Sequence, residues 1–327
     1  VRRYLGSIVL VFLTLILMAF TVGNALSIHL PLGGLLLLIS LLLIYSAFKG
    51  FKEAARLRDS FPIPSKTALL DFTATAAGSV VTYLISVHLN LGPVIASGLV
   101  GVVAALFLRS HAVPIYCGSF AGMSSAAFLP FLPLLAASVI AAFVFVLTKD
   151  VFNGYGGKLG TIALVGTAGG GVLFSRPFLE GEIFAHPQIV ALIIASVLGA
   201  VAAFVLSVRF RLGPVFGSGA VGVVVGIWGV LSGLFFPEII GAFGETLAVA
   251  AFGASFVGMA STQRLLDERF IALGGFVFAL VFVFSEPYFA GAGGKLGTIA
   301  FASTLTAGGL RTLIETVFEK NFFRMSG

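Results

Sequence analysis

The residues best suited to chemistry are two lysines set in the same octapeptide. Gly156-Gly157-Lys158-Leu159-Gly160-Thr161-Ile162-Ala163 recurs as Gly293-Gly294-Lys295-Leu296-Gly297-Thr298-Ile299-Ala300. In each copy the glycine pair closes a loose stretch, containing Tyr155 or Tyr288, and opens an apolar helix. Free N–H groups, the positive end of a helix dipole, a backbone open to close approach and an ammonium would then converge. That combination suits an anion or a strongly polar oxygen, and it makes Gly157, Lys158, Gly294 and Lys295 candidate ligands. It is not a phosphate loop, whose glycine spacing and preceding strand are missing. The competing role for each lysine is to snorkel to a headgroup, or to pair with the acid before it, Asp150 in one copy and Glu286 in the other.

Hydroxyls follow close behind. Thr161 and Thr298 stand three residues after the lysines, and further small residues follow at Gly166, Thr167 and 169–171, and at Ser303, Thr304, Thr306, Gly308 and Gly309. Such density fits close helix packing, or a hydroxyl-lined path. A second repeated block pairs Ser119-Phe120-Ala121-Gly122-Met123-Ser124-Ser125 with Ser255-Phe256-Val257-Gly258-Met259-Ala260-Ser261. A glycine flanked by serines weakens a helix, so Gly122 and Gly258 mark either a break lining a cavity or a packing notch. Ser119 and Ser255 join them as candidate path residues. In a third block Ser86 to Val94 matches Ser207 to Val215, and the match continues through Ser97, Gly98 and Gly101 to Ser218, Gly219 and Gly222. These small residues are assigned to packing.

Other chemistry is poorly supported. Cys117 has no counterpart and no nearby base, so it is not expected to be a nucleophile, and one cysteine excludes an internal disulfide. No zinc-protease motif, serine elbow or paired intramembrane carboxylates occur, so no enzyme, metal or cofactor is expected. Asp71 is the one carboxylate inside an apolar run, placed to snorkel or to pair with Lys66. His88 aligns with Arg209 and His111 follows Arg109, so both are expected to mark membrane edges rather than proton relays.

These residues must be held by elements suited to lipid. Of the 327 residues 59% are hydrophobic and 10% charged, against about 25% charged in a soluble domain. A mean hydropathy of +1.13 cannot be hidden within one water-soluble core. Apolar runs near 5–28, 31–48, 67–89, 92–108, 112–128, 131–148, 158–175, 187–208, 213–236, 243–262, 270–285 and 295–312 predict an all-α polytopic membrane protein with about twelve transmembrane helices. The first run is too long for the apolar region of a cleaved signal and is expected to be a spanning helix.

Charge placement predicts orientation. With the N-terminus in the cytoplasm, every basic residue except Arg176 and Lys295 falls on the inner side, from Arg2 and Arg3 through Arg56 and Arg58 to Lys320 and Arg324. Glu180, Glu182, Glu238, Glu245 and Glu286 fall outside, so both termini are expected in the cytoplasm, in a bacterial cytoplasmic membrane. The net charge of +6 thus reports topology, and no nucleic acid is expected.

The three blocks keep their order, which divides the chain into 1–66, with two helices and a basic loop; repeat 67–175; repeat 187–312; and a cytoplasmic tail, 313–327. Five helices per repeat is an odd number, so the second copy should be inverted in the membrane. The expectation is a permease or channel moving a small polar or anionic solute between the repeats. The alternatives are a lipid flippase or scramblase, or the membrane subunit of a transporter with several chains. The expected partners are membrane lipid and the solute, with a homo-oligomer or accessory subunit left open.

Overall fold

In lipid an apolar segment must satisfy its own backbone hydrogen bonds, and the helix is the local way to do so. The computed structural model, which describes residues 2–56, 66–181, 186–235 and 241–325, is accordingly all-helical. Twelve α-helices follow in order: α1 Arg2–Ile28, α2 Leu30–Arg56, α3 Lys66–Tyr83, α4 Gly92–Phe107, α5 Ala112–Gly122, α6 Phe131–Thr148, α7 Lys158–Leu173, α8 His186–Phe204, α9 Pro214–Phe235, α10 Gly241–Ser255, α11 Glu268–Ser285 and α12 Lys295–Met325. Seven are long and apolar enough to cross a bilayer, consistent with an integral membrane protein. Among the described residues the one extended pairing is an isolated bridge, Leu179 to Ala290. Arg58, Glu182 and Glu238, and the side chains of Arg2, Arg56, Lys320 and Arg324, lie outside the described residues.

The helices of 67–175 and 187–312 make the same pairings. α3 packs on α5 and α6 as α8 packs on α10 and α11, α6 lies on α7 as α11 lies on α12, and α4 crosses α9 between the halves. Glycines set these contacts. A Cβ on Gly78 or Gly118 would strike the Ile115 or Thr75 carbonyl, and one on Gly199 or Gly258 the Ala251 or Ala200 carbonyl. The match extends to irregular backbone: a π-helical turn follows α3 at Leu84–His88 and α8 at Val205–Arg209. α1 and α2 pack against each other and onto α11 and α12.

Three boundaries differ from the sequence pattern. The run 112–128 is not one helix, because α5 stops at Gly122 after 11 residues, a rise of about 16 Å at ~1.5 Å per residue. Gly122 is also a notch, where a Cβ would meet the Ser79 carbonyl, so break and packing coincide. In the equivalent run α10 ends at Ser255, a single tight turn spans Val257–Met259, and Ala260 is extended. α12 runs on to Met325 rather than stopping near 312, since its polar end can continue as helix in water.

Candidate functional site

Two loops, 149–157 and 286–294, carry the site, and their backbones match. Phe152 and Phe289 adopt φ of 51° and 55°, Gly154 and Gly291 both 79°, and Gly157 and Gly294 83° and 93°. Left-handed backbone favours glycine, which explains the last two pairs. Each loop is anchored by the other half: the Ser261 N–H donates to the Gly154 carbonyl and the Ser125 N–H to the Gly291 carbonyl, both at 2.9 Å. Ser261 and Ser125 are equivalent residues of the serine blocks. Beyond the loops α7 and α12 cross where Gly160 meets Gly297, so closely that a Cβ on either would overlap the other's Cα.

Each lysine stands two residues before that crossing and is buried, with 7% of Lys158 and 6% of Lys295 exposed. Neither snorkels. Lys158 Nζ donates to the Lys149 carbonyl and to Asn153 Oδ1, both at 3.0 Å. Lys295 Nζ donates to the Glu286 carbonyl at 2.9 Å and to Glu286 Oε2 at 3.0 Å. The pairing expected for Lys295 is therefore present, whereas that expected for Lys158 is not: Asp150 lies 3.9 Å from Arg3 instead. The nine-residue spacing from lysine back to carbonyl is common to both copies. At that position the first copy has Lys149 and the second Glu286, so only the second loop carries a carboxylate where the ammonium reaches.

Each lysine lines its own cavity. Asn153, Tyr155, Lys158, Ser207 and Ser261 face one of about 470 Å³. Ser86, Ser124, Ser125, Glu286 and Lys295 face the other, of about 400 Å³, together with Phe120 and Phe256. Ser86 and Ser207 are equivalent, as are Ser125 and Ser261. The two cavities share no lining residue.

Where the halves meet, aromatic rings fill the space. Phe120 and Phe256 lie 4.4 Å apart between centroids, Tyr116 lies 4.5 Å from Phe120 with its ring tilted, and Phe252 lies 4.8 Å from Phe256. Gly101 and Gly222 make room for the Tyr116 and Phe252 rings. A buried hydroxyl chain adjoins them: Ser97 bonds Ser119 at 2.8 Å, Ser218 bonds Ser255 at 2.7 Å, and the Tyr116 hydroxyl crosses to Ser218 at 2.9 Å.

The candidate residues therefore divide. Lys158, Gly294 and Lys295 line these two cavities, whereas Gly157, Thr161, Thr298, Ser119, Gly122, Ser255 and Gly258 line neither. Thr298 bonds the Gly294 carbonyl at 3.2 Å, and the buried Thr161 hydroxyl has no hydrogen-bond partner among the described residues. Asp71 does not pair with Lys66; it takes Lys149 at 3.1 Å and lies 3.6 Å from His111 Nδ1. Sequence reasoning missed Asn153 and the aromatic cluster. Phe120 and Phe256 had a visible signal, since both sit inside the repeated serine block; Asn153 had none, because Ala290 replaces it in the second copy.

The fold and cavities define an all-helical protein, consistent with membrane insertion, with two equivalent lysine-lined chambers. No protein-family model matches the chain, and neither curated proteins nor solved structures give a match.

Proposed function

We propose that the chain is an integral membrane permease or channel that moves a small polar or anionic solute along a path between two inverted five-helix repeats. The observation that carries this reading is the pair of cavities: equivalent residues of the two halves build two chambers, each with a buried lysine. A duplication that served packing alone has no need of a polar chamber in each copy, because burying an ammonium in a bilayer is costly. Inverted repeats commonly enclose a solute site at their interface. With the basic loops in the cytoplasm, the Lys158 cavity faces inward and the Lys295 cavity outward, and the Phe120–Phe256 cluster is the constriction between them. The termini are then cytoplasmic.

A lipid-moving role is less well supported. An apolar groove of about 650 Å³ over α8, α9 and α10 has no charged side chain in its lining to take a headgroup. The test is flux into proteoliposomes holding the purified chain, followed by light scattering with urea, glycerol, formate, acetate and nitrate. At least one should enter several-fold faster than into protein-free vesicles, and Phe120→Ala should raise that rate. Rates equal to empty vesicles for all five, before and after Phe120→Ala, would overturn the proposal.

A further inference from the structure

The two chambers share a plan but not a charge. At Lys295 the protein supplies its own counter-ion: the Glu286 carboxylate sits 3.0 Å from the ammonium, beside the Glu286 carbonyl. At Lys158 the equivalent carbonyl is kept, and the remaining acceptor is the neutral Asn153 amide oxygen. Among the described residues no carboxylate pairs with Lys158. The residue in the place of Glu286 is Lys149, whose own charge is met by Asp71 at 3.1 Å. Asp150 lines the cavity, but its carboxylate is 43% exposed and lies toward Arg3.

From this contrast we infer that the Lys158 cavity is a binding site for a small monovalent carboxylate, or an oxyanion of like size, which supplies at Lys158 the negative charge that Glu286 supplies at Lys295. The inference rests on the permease reading, for which it names the solute class. A buried ammonium is stabilised by an opposite charge with good hydrogen-bond geometry, and is expensive without one. Lysine has three donors, and two of those of Lys158 are occupied by protein oxygens, leaving one for a solute. Around this cavity three of the described cations, Arg3, Lys149 and Lys158, share two carboxylates, Asp71 and Asp150, whose closest contacts go to Lys149 and Arg3. One negative charge is therefore missing, and Lys158 is the cation with no carboxylate at hydrogen-bond distance. The volume, about 470 Å³, lies toward the small end of the ~300–1,000 Å³ typical of ligand pockets. Ser207 and Ser261 add hydroxyls for the second oxygen of a carboxylate.

The probe is trifluoroacetate, which stays anionic across the working pH range, with neutral trifluoroacetamide as its control. Fluorine NMR on the detergent-purified chain reads binding as line broadening that acetate reverses. The expected result is one saturable site for trifluoroacetate, none for the amide, and at least tenfold weaker binding in Lys158→Gln. Asn153→Asp guards against a Lys158 variant that fails to fold, because it places a carboxylate beside Lys158 with almost no change of shape. It should also abolish binding, now by internal competition. Glu286→Gln should add a second site by freeing Lys295. Equal binding of the amide, or unchanged trifluoroacetate binding in Asn153→Asp, would overturn the inference. The two proposals fail separately. Anion binding at Lys158 with no flux of any solute removes the permease reading, whereas flux of urea or glycerol with no anion bound or moved removes the anion site alone.

Discussion

The loops over the two lysines have the same backbone, and they are covered by opposite chemistries. Over Lys158, Arg264 reaches the loop from the other half: its Nε donates to the Asn153 carbonyl at 3.0 Å, its guanidinium lies 4.5 Å over the Tyr155 ring, and it bonds Glu53 of α2 at 2.8 Å. The residue equivalent to Arg264 is Phe128. Over Lys295 the cover is correspondingly aromatic, with Phe128 and Phe289 each 4.9 Å from Phe178, Tyr288 stacked on Phe20 at 4.9 Å, and the Leu179 N–H on the Ala290 carbonyl at 3.1 Å. Duplication has thus preserved the parts that shape backbone, the glycines and the serine anchors. Side chains that meet the surroundings have diverged, one cover held by charge and the other by ring packing.

The largest expected effect comes from what the two sides share. Gly160 and Gly297 touch through backbone, so a methyl at either has no flexible neighbour to displace. Gly160→Ala should destabilise the chain by about 3 kcal/mol, at the upper end of the range for overpacking a core. The amount of monodisperse protein in detergent and its Tm read this directly. Gly297→Ala should match it; a variant that tolerates one alanine but not the other would show that the halves do not depend equally on the crossing. Gly233, with nothing within 4 Å of an added Cβ, is the control, and its alanine variant should hold or gain stability, by ~0.5–1 kcal/mol from helix propensity.

A smaller effect separates the covers. Arg264 has a partly exposed side chain and Glu53 a largely exposed one, so their ion pair contributes at most about 1 kcal/mol and is screened by salt; the stacking on Tyr155 adds ~0.5–1 kcal/mol. Arg264→Ala should therefore lower stability by about 1–2 kcal/mol and speed hydrogen exchange in 149–157 while leaving 286–294 unchanged. Raising ionic strength should do the same to the unaltered chain, more weakly. Equal acceleration of both loops in high salt would break the distinction between a charged and an aromatic cover.

The repeated blocks made much of this organisation legible, because glycine at a crossing and serine at a loop anchor are required by geometry wherever the unit occurs. At Gly122 the sequence left a break and a packing notch as alternatives, and the residue is both, the end of α5 and a point of close approach to the Ser79 carbonyl. The partners of Lys158 were not legible. Which acceptor an ammonium finds depends on how a nine-residue loop folds back, and Asp150, adjacent to the correct Lys149 carbonyl, points elsewhere. Arg264 and Glu53 are 211 residues apart, and no local pattern joins them. The π-helical turns after α3 and α8 escaped as well, since a shift from one backbone hydrogen-bond register to the next leaves no mark in hydrophobic spacing.

The smallest effect probes the seam itself, where the halves differ by one oxygen. The Tyr116 hydroxyl bonds Ser218 across the junction, whereas its equivalent, Phe252, offers nothing to Ser97. Ser97 is nevertheless satisfied by Ser119, and Ser218 likewise has Ser255. Tyr116→Phe makes the first half copy the second, and it strands no serine. The loss should be only about 0.6 kcal/mol, the average for a side-chain hydrogen bond within a membrane protein, with Tm falling by a degree or two. The reverse exchange, Phe252→Tyr, should restore a crossing bond, now to Ser97, if the two halves are as closely matched at this level as their glycines indicate. A loss of several kcal/mol in Tyr116→Phe would mean instead that this hydroxyl supports more than one neighbour, and that the junction is held asymmetrically even where its backbone is not.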